Sequence, residues 1–214
     1  MPVIDSGVAA SSQQVVENTG ASRTVLVSRG TGFGLSATTG TIAAALAANA
    51  SIFAMRLDPG SPQNAFIERI RVSYTTIVAY TVPVTALRRL ELYRGSGAAS
   101  SGGTSIPTTV RKRAGSLTSE CDVANGGDTR IATTAGLTVT GITFETVPIR
   151  HLSLSHVGAA GGFVETLWEF HAAESQPLQL EPGNLLAIRN PVAMDAAGTW
   201  TASISVDWYE GSAL

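Results

Sequence analysis

The stretch Thr199-Trp-Thr-Ala-Ser-Ile-Ser-Val-Asp-Trp-Tyr209 decides the fold class. In an extended chain, Trp200, Ala202, Ile204, Val206 and Trp208 face one way, and Thr199, Thr201, Ser203, Ser205, Asp207 and Tyr209 face the other. Successive side chains of a strand point to opposite faces, so this alternation predicts a half-buried antiparallel strand. Trp200 and Trp208 both fall on its apolar face, where core packing is the expected role for such large rings.

Upstream, Leu185–Asn190 reads as a strand between turns at Pro182-Gly183 and Asn190-Pro191. Val147–Leu154 and Phe163–Phe170 precede it, with weaker signals at Thr129–Thr133 and Leu137–Val139. In Ala65–Tyr74, apolar Phe66, Ile70 and Val72 alternate with Arg69, Arg71 and Ser73, while Ile67 and Glu68 break the phase and predict a bulge. Leu87–Arg94 is a further strand, and another starts at Ser51 after the segment 42–48, whose alanines leave helix and strand both open. Eight or more short strands, Gly/Pro turns and almost no amphipathic helix predict a mainly β protein, an antiparallel sandwich or barrel. Residues 1–40 read as an extended N-terminal arm with one short strand, Ser22–Ser28. Residues 41–214 read as the sandwich, carrying a long Gly/Ser/Thr-rich insertion at about 95–127. An arm so poor in apolar residues needs its own domain or a neighbouring subunit to hold it.

Composition narrows the chemistry. Charged residues make up 14% of the 214, well below the roughly 25% of ordinary soluble proteins. Ala, Thr, Gly and Ser together supply 97 positions, which leaves few side chains for acid or base work. A formal net charge of −2 argues against a whole-chain footprint for nucleic acid, and no nucleic-acid partner is expected. Thirteen of the fourteen basic residues are Arg, with Lys112 the exception. Arg is enriched at protein interfaces where Lys is depleted, although a GC-rich genome produces the same bias. No apolar run reaches the roughly 20 residues of a membrane-spanning helix, and Met1–Ser12 lacks the basic and apolar regions of a secretory leader.

Each motif that could carry chemistry fails on spacing. Gly30-Thr-Gly-Phe-Gly34 has Leu35 where a dinucleotide loop needs its third glycine. His151 and His156 are five apart, so a single strand points them to opposite faces, and His171 is distant in sequence. Glu165, Glu169 or Asp195 could complete a metal site only in space. Glu165 and Glu169 share a face of an ideal strand, with Trp168 opposite and no aromatic platform beside the acids for glycoside chemistry. Cys121 is the lone cysteine, in a polar loop without a local histidine, which excludes an internal disulfide. Arg111-Lys-Arg113 reads as a solvated loop run. No catalytic, cofactor-binding or metal-binding residue is assigned, no cofactor is expected, and the chain is expected not to be an enzyme.

The wording of Leu180-Glu-Pro-Gly-Asn-Leu-Leu-Ala-Ile-Arg-Asn-Pro191, of Val192–Trp200 and of the closing strand to Glu210 resembles a group of structural proteins of tailed bacteriophages. Phe66–Tyr74, Leu90–Gly97 and Val157–Gly161 share in that resemblance, which covers roughly 65–214 and leaves the arm outside. It implies a jelly-roll-like virion structural protein, first a capsid decoration or cement protein, second a tail, neck or fibre-attachment protein. The implied partners are the major capsid protein or another virion protein, together with further copies in a homo-oligomer, with assembly in the host bacterial cytoplasm. A carbohydrate-binding host-surface module is the third reading, and it requires an exposed aromatic side chain in a polar cleft.

Overall fold

A computed structural model describes residues 12–16, 22–26, 32–80, 89–107, 118–154, 162–169, 177–194 and 196–211, and for 12–16, 22–26, 162–163 and 165 the description is of the backbone. Strands β1 (Ser12–Val16) and β2 (Ser22–Leu26) pair with each other as a two-stranded ladder. The other twelve form two sheets. The five-stranded sheet runs β3 (Gly32–Thr38), β14 (Thr199–Gly211), β5 (Asn64–Val78), and then β11 (Gly162–Glu169) and β12 (Leu178–Leu180), both beside β5. The seven-stranded sheet runs β7 (Thr104–Ser105), β8 (Asp128–Ile131), β4 (Ala50–Arg56), β13 (Asn184–Asn190), β6 (Arg89–Gly97), and then β10 (Arg150–Ser153) and β9 (Ile142–Phe144), both beside β6.

Because β12 pairs with Ala65–Ile67 and β11 with Arg69–Thr75, the two act as one interrupted edge strand. On the opposite sheet β10 and β9 divide β6 in the same way. With each pair counted once, the chain visits the sheets in the order of an eight-stranded jelly roll, and the β7–β8 ladder widens one of them. The mainly β, jelly-roll-like sandwich expected from the sequence is the fold observed.

β14 lies at the centre of the five-stranded sheet, and its buried and half-exposed positions alternate along its whole length. Trp200 and Trp208 are fully buried, Trp200 stacked on Tyr74 at 5.1 Å and Trp208 on Phe33 at 5.5 Å between ring centroids. The bulge expected at Ile67-Glu68 is present: Asp207 faces Arg69 and Trp208 faces Ile67, which leaves Glu68 as the extra residue. Pro182-Gly183 forms its turn, closed by the Asn184 N–H donating to the Glu181 carbonyl at 2.9 Å, with Gly183 at φ +81°.

Four readings change. First, Gly32–Thr38 belongs to the sandwich and not to the arm, since it pairs with Ser203–Tyr209 and buries Phe33 and Leu35. Its glycines masked a strand whose fully buried residues are those two, with Ala37 packed half-buried beside the core. Second, the arm carries two strands, because Ser12–Val16 supplies a partner for Ser22–Leu26 that its polar composition concealed. Third, 42–48 is neither helix nor strand. Ile42 bridges to Trp200, Ala45 and Asn49 adopt positive φ, and turns cross between the sheets. Fourth, a register shift between Thr166 and Trp168 makes Leu167 an extra residue, so Glu165 stands opposite Val72 but Glu169 opposite Arg69. An inserted residue reverses the phase of a strand, so the unbroken alternation that put Glu165 and Glu169 on one face is absent from the backbone.

Candidate interaction surface

The outer face of the seven-stranded sheet gathers the residues that composition had marked out. Register places His151, Glu91 and Arg189 in one row across β10, β6 and β13. Tyr93, Ala187, Ala54 and Arg130 form the next, and Phe144, Gly95, Leu185, Arg56 and Asp128 the one after. Ala54 and Ala187, in the same row as Tyr93 and Arg130, are both buried. Arginine stems lie flat across such small residues while their charged heads reach sideways. The Arg56 Nε donates to the Gly97 carbonyl at 3.0 Å, and Arg130 donates to Asp128 at 2.8 Å and to the Gly102 carbonyl at 3.1 Å.

Arg189 is the centre of this face. Its guanidinium carbon sits 4.1 Å from the Phe144 ring centroid and 5.2 Å from that of Tyr93, and the two rings meet edge to face at 6.3 Å. It also donates to the Asn49 carbonyl at 3.1 Å. Phe144 can lie across the sheet because Gly95 is beneath it, where an added Cβ would come within 3.0 Å of its ring. The Tyr93 hydroxyl donates to Glu91 at 2.6 Å, and Arg89 pairs with the other oxygen of that carboxylate at 2.7 Å. Burial lowers the Arg189 pKa, opposed by Tyr93 and Glu91, while burial first and the Glu91 hydrogen bond second push the Tyr93 hydroxyl up. Four arginines (56, 89, 130 and 189) against Glu91 and Asp128 make the face net cationic on a chain whose formal charge is −2. Half-buried Arg and aromatic side chains, held in place by their neighbours, are the side chains that dominate protein–protein contact energies.

A second polar cluster lies where the insertion returns to the sandwich. Alternation along β14 carries Glu210 inward, and its buried carboxylate accepts from Ser119 Oγ at 2.6 Å, the Glu120 N–H at 2.9 Å and Trp208 Nε1 at 3.0 Å. Ser119 Oγ in turn accepts the Cys121 N–H at 2.9 Å. Cys121 is fully buried, and burial followed by the Glu210 charge pushes its thiol well above the ordinary range, the reverse of what a nucleophile requires. Burial, Glu210 and Asp58 also raise the Glu120 carboxyl. A carboxyl raised in the folded state contributes stability below its ordinary pKa and loses it as pH rises through the folded value. Glu120→Gln should therefore raise the melting temperature near pH 7 by up to about 2 °C and change it little near pH 4, measured by calorimetry at both.

The remaining residues singled out in the sequence are dispersed. His151 is exposed on β10, Glu169 is exposed on β11, and Gly32–Gly34 is extended strand. Gly30, His156, His171, Asp195 and Arg111–Arg113 lie outside the described residues, as does the Glu165 side chain. Among the described residues, no group of three or more His, Cys, Asp or Glu is placed to hold a metal ion. Trp168 is half-buried at a cleft of about 380 Å³ between the β10 and β11 edges. Phe144 and Glu210 were missed. Phe144 sits in a three-residue strand too short to show a period, whereas extending the β14 alternation by one step would have found Glu210. No family model matches the chain, and neither a curated protein nor a solved structure matches it.

Proposed function

We propose that this chain is a non-enzymatic structural protein of a tailed-phage virion that decorates or cements the capsid through protein–protein contacts. The observation that carries the contact role is the Arg189–Phe144–Tyr93 cluster on the net cationic outer face of the seven-stranded sheet. The virion setting rests on the resemblance of the Leu180–Glu210 wording, and the jelly-roll sandwich is compatible with it. A self-paired β1–β2 ladder ahead of the sandwich suits an arm that reaches a neighbour, where repetition around a symmetric shell multiplies a weak contact.

The test is a binding assay on particles stripped of the protein, preceded by mass spectrometry of purified particles to establish that the chain is in them. Arg189→Ala should weaken binding at least about tenfold, a loss of roughly 1.4 kcal/mol, while melting within a few degrees of the parent. A chain beginning at residue 31, which keeps every sandwich strand, should also fold and attach less cooperatively. Absence of the protein from purified particles would sink the virion reading. Unchanged occupancy by Arg189→Ala would sink the assigned face.

A further inference from the structure

We propose that the cleft between the β10 and β11 edges binds a carboxylate-bearing pyranoside, the acidic sugar unit of a glycan. Its volume of about 380 Å³ falls at the lower end of the usual range for small-ligand sites. One wall is Trp168. Its Nε1 donates to the Ile67 carbonyl at 3.2 Å, which fixes the ring while leaving it partly open to solvent. The C–H face of a pyranose packs on an indole surface by apolar contact, and its hydroxyls need polar partners around the rim. Thr166, His151 and Glu169 are exposed there and supply donors and acceptors.

Arg150 sets the charge. Its guanidinium carbon lies 5.7 Å from the Trp168 ring centroid, and among the described residues it forms no ion pair. Arg69, Arg89, Arg94 and Arg130 each have a carboxylate within 2.6–2.8 Å. A cation beside an aromatic platform, with no carboxylate paired to it among the described residues, is arranged to take a carboxylate from the ligand in a paired hydrogen bond. Trp168 and Arg150 stand at the seam between the sheets and not in the Arg189 cluster, so this inference does not rest on the assembly reading and each can fail alone.

Trp200 and Trp208 are closed to solvent, so a ligand-induced change in tryptophan fluorescence reports on Trp168. The full chain is titrated with the galacturonic acid trisaccharide and with its uncharged galactose counterpart, by fluorescence and by calorimetry. The acidic sugar should bind saturably with a dissociation constant of about 0.1–1 mM, and the uncharged one at least about tenfold more weakly. Arg150→Ala, an exposed substitution, should weaken the acidic sugar about tenfold and leave the melting temperature unchanged. Trp168→Phe should weaken binding by calorimetry and abolish the fluorescence response. Failure of the acidic sugar to bind saturably below about 10 mM would overturn the proposal. Equal affinity for the two sugars, or an Arg150→Ala chain that binds like the parent, would overturn it as well.

Discussion

Trp200→Ala should destabilise the protein by about 3–5 kcal/mol and lower its melting temperature by roughly 10 °C. Trp200 is fully buried on the middle strand of the five-stranded sheet and stacks on Tyr74, whose hydroxyl is within 2.6 Å of that of Tyr80 in the interior. Removing the indole opens a cavity that the flanking strands cannot close, because β14 is hydrogen-bonded on both sides. Trp200→Phe separates packing from polarity. Among the described residues the indole nitrogen has no hydrogen-bond partner, so phenylalanine keeps most of the contact and loses no hydrogen bond seen there. It should cost less than half as much as alanine in urea melts. Equal losses for the two variants, or a neutral Trp200→Ala, would contradict a core role.

Glu210→Ala should cost about 3–5 kcal/mol for a different reason, since it orphans the three donors at Ser119 Oγ, Glu120 N and Trp208 Nε1, at roughly 1–3 kcal/mol for each buried one. The carboxylate ties the return leg of the insertion to the last strand, so the loss has a location as well as a size. Hydrogen exchange at the Glu120 and Cys121 amides should accelerate far more than at the centre of β14. Glu210→Gln should fall between parent and alanine, because one of its two acceptors becomes a donor facing a donor. Uniform acceleration through both sheets would instead mean that Glu210 supports the whole sandwich and does not anchor the insertion.

Much of the fold was legible along the chain. Period-2 alternation in 199–209, the phase break at Ile67-Glu68 and the Pro182-Gly183 turn are local signals with local causes, and each appears where the sequence placed it. Strand existence was readable wherever an apolar face ran for several steps. Gly32–Thr38, Ile142–Phe144 and Leu178–Leu180 were not found, since glycine or brevity left too few inward residues to show a period.

The candidate surfaces were barely legible. The arginine excess was visible as composition, but which arginines share a face depends on register between strands far apart in sequence, as when Arg189 of β13 meets Phe144 beyond β6. The Leu167 insertion shows the same dependence. A single extra residue breaks the alternation between Thr166 and Trp168 and sets Trp168 beside Arg150, and only the pairing with β5 reveals it. Sequence by itself determined which residues of the closing strand face the core, because side-chain direction in an unbroken strand follows from backbone geometry. Tertiary structure alone decided which exposed residues stand together, because neighbours on a sheet face are set by cross-strand hydrogen bonding between segments that sequence order does not join.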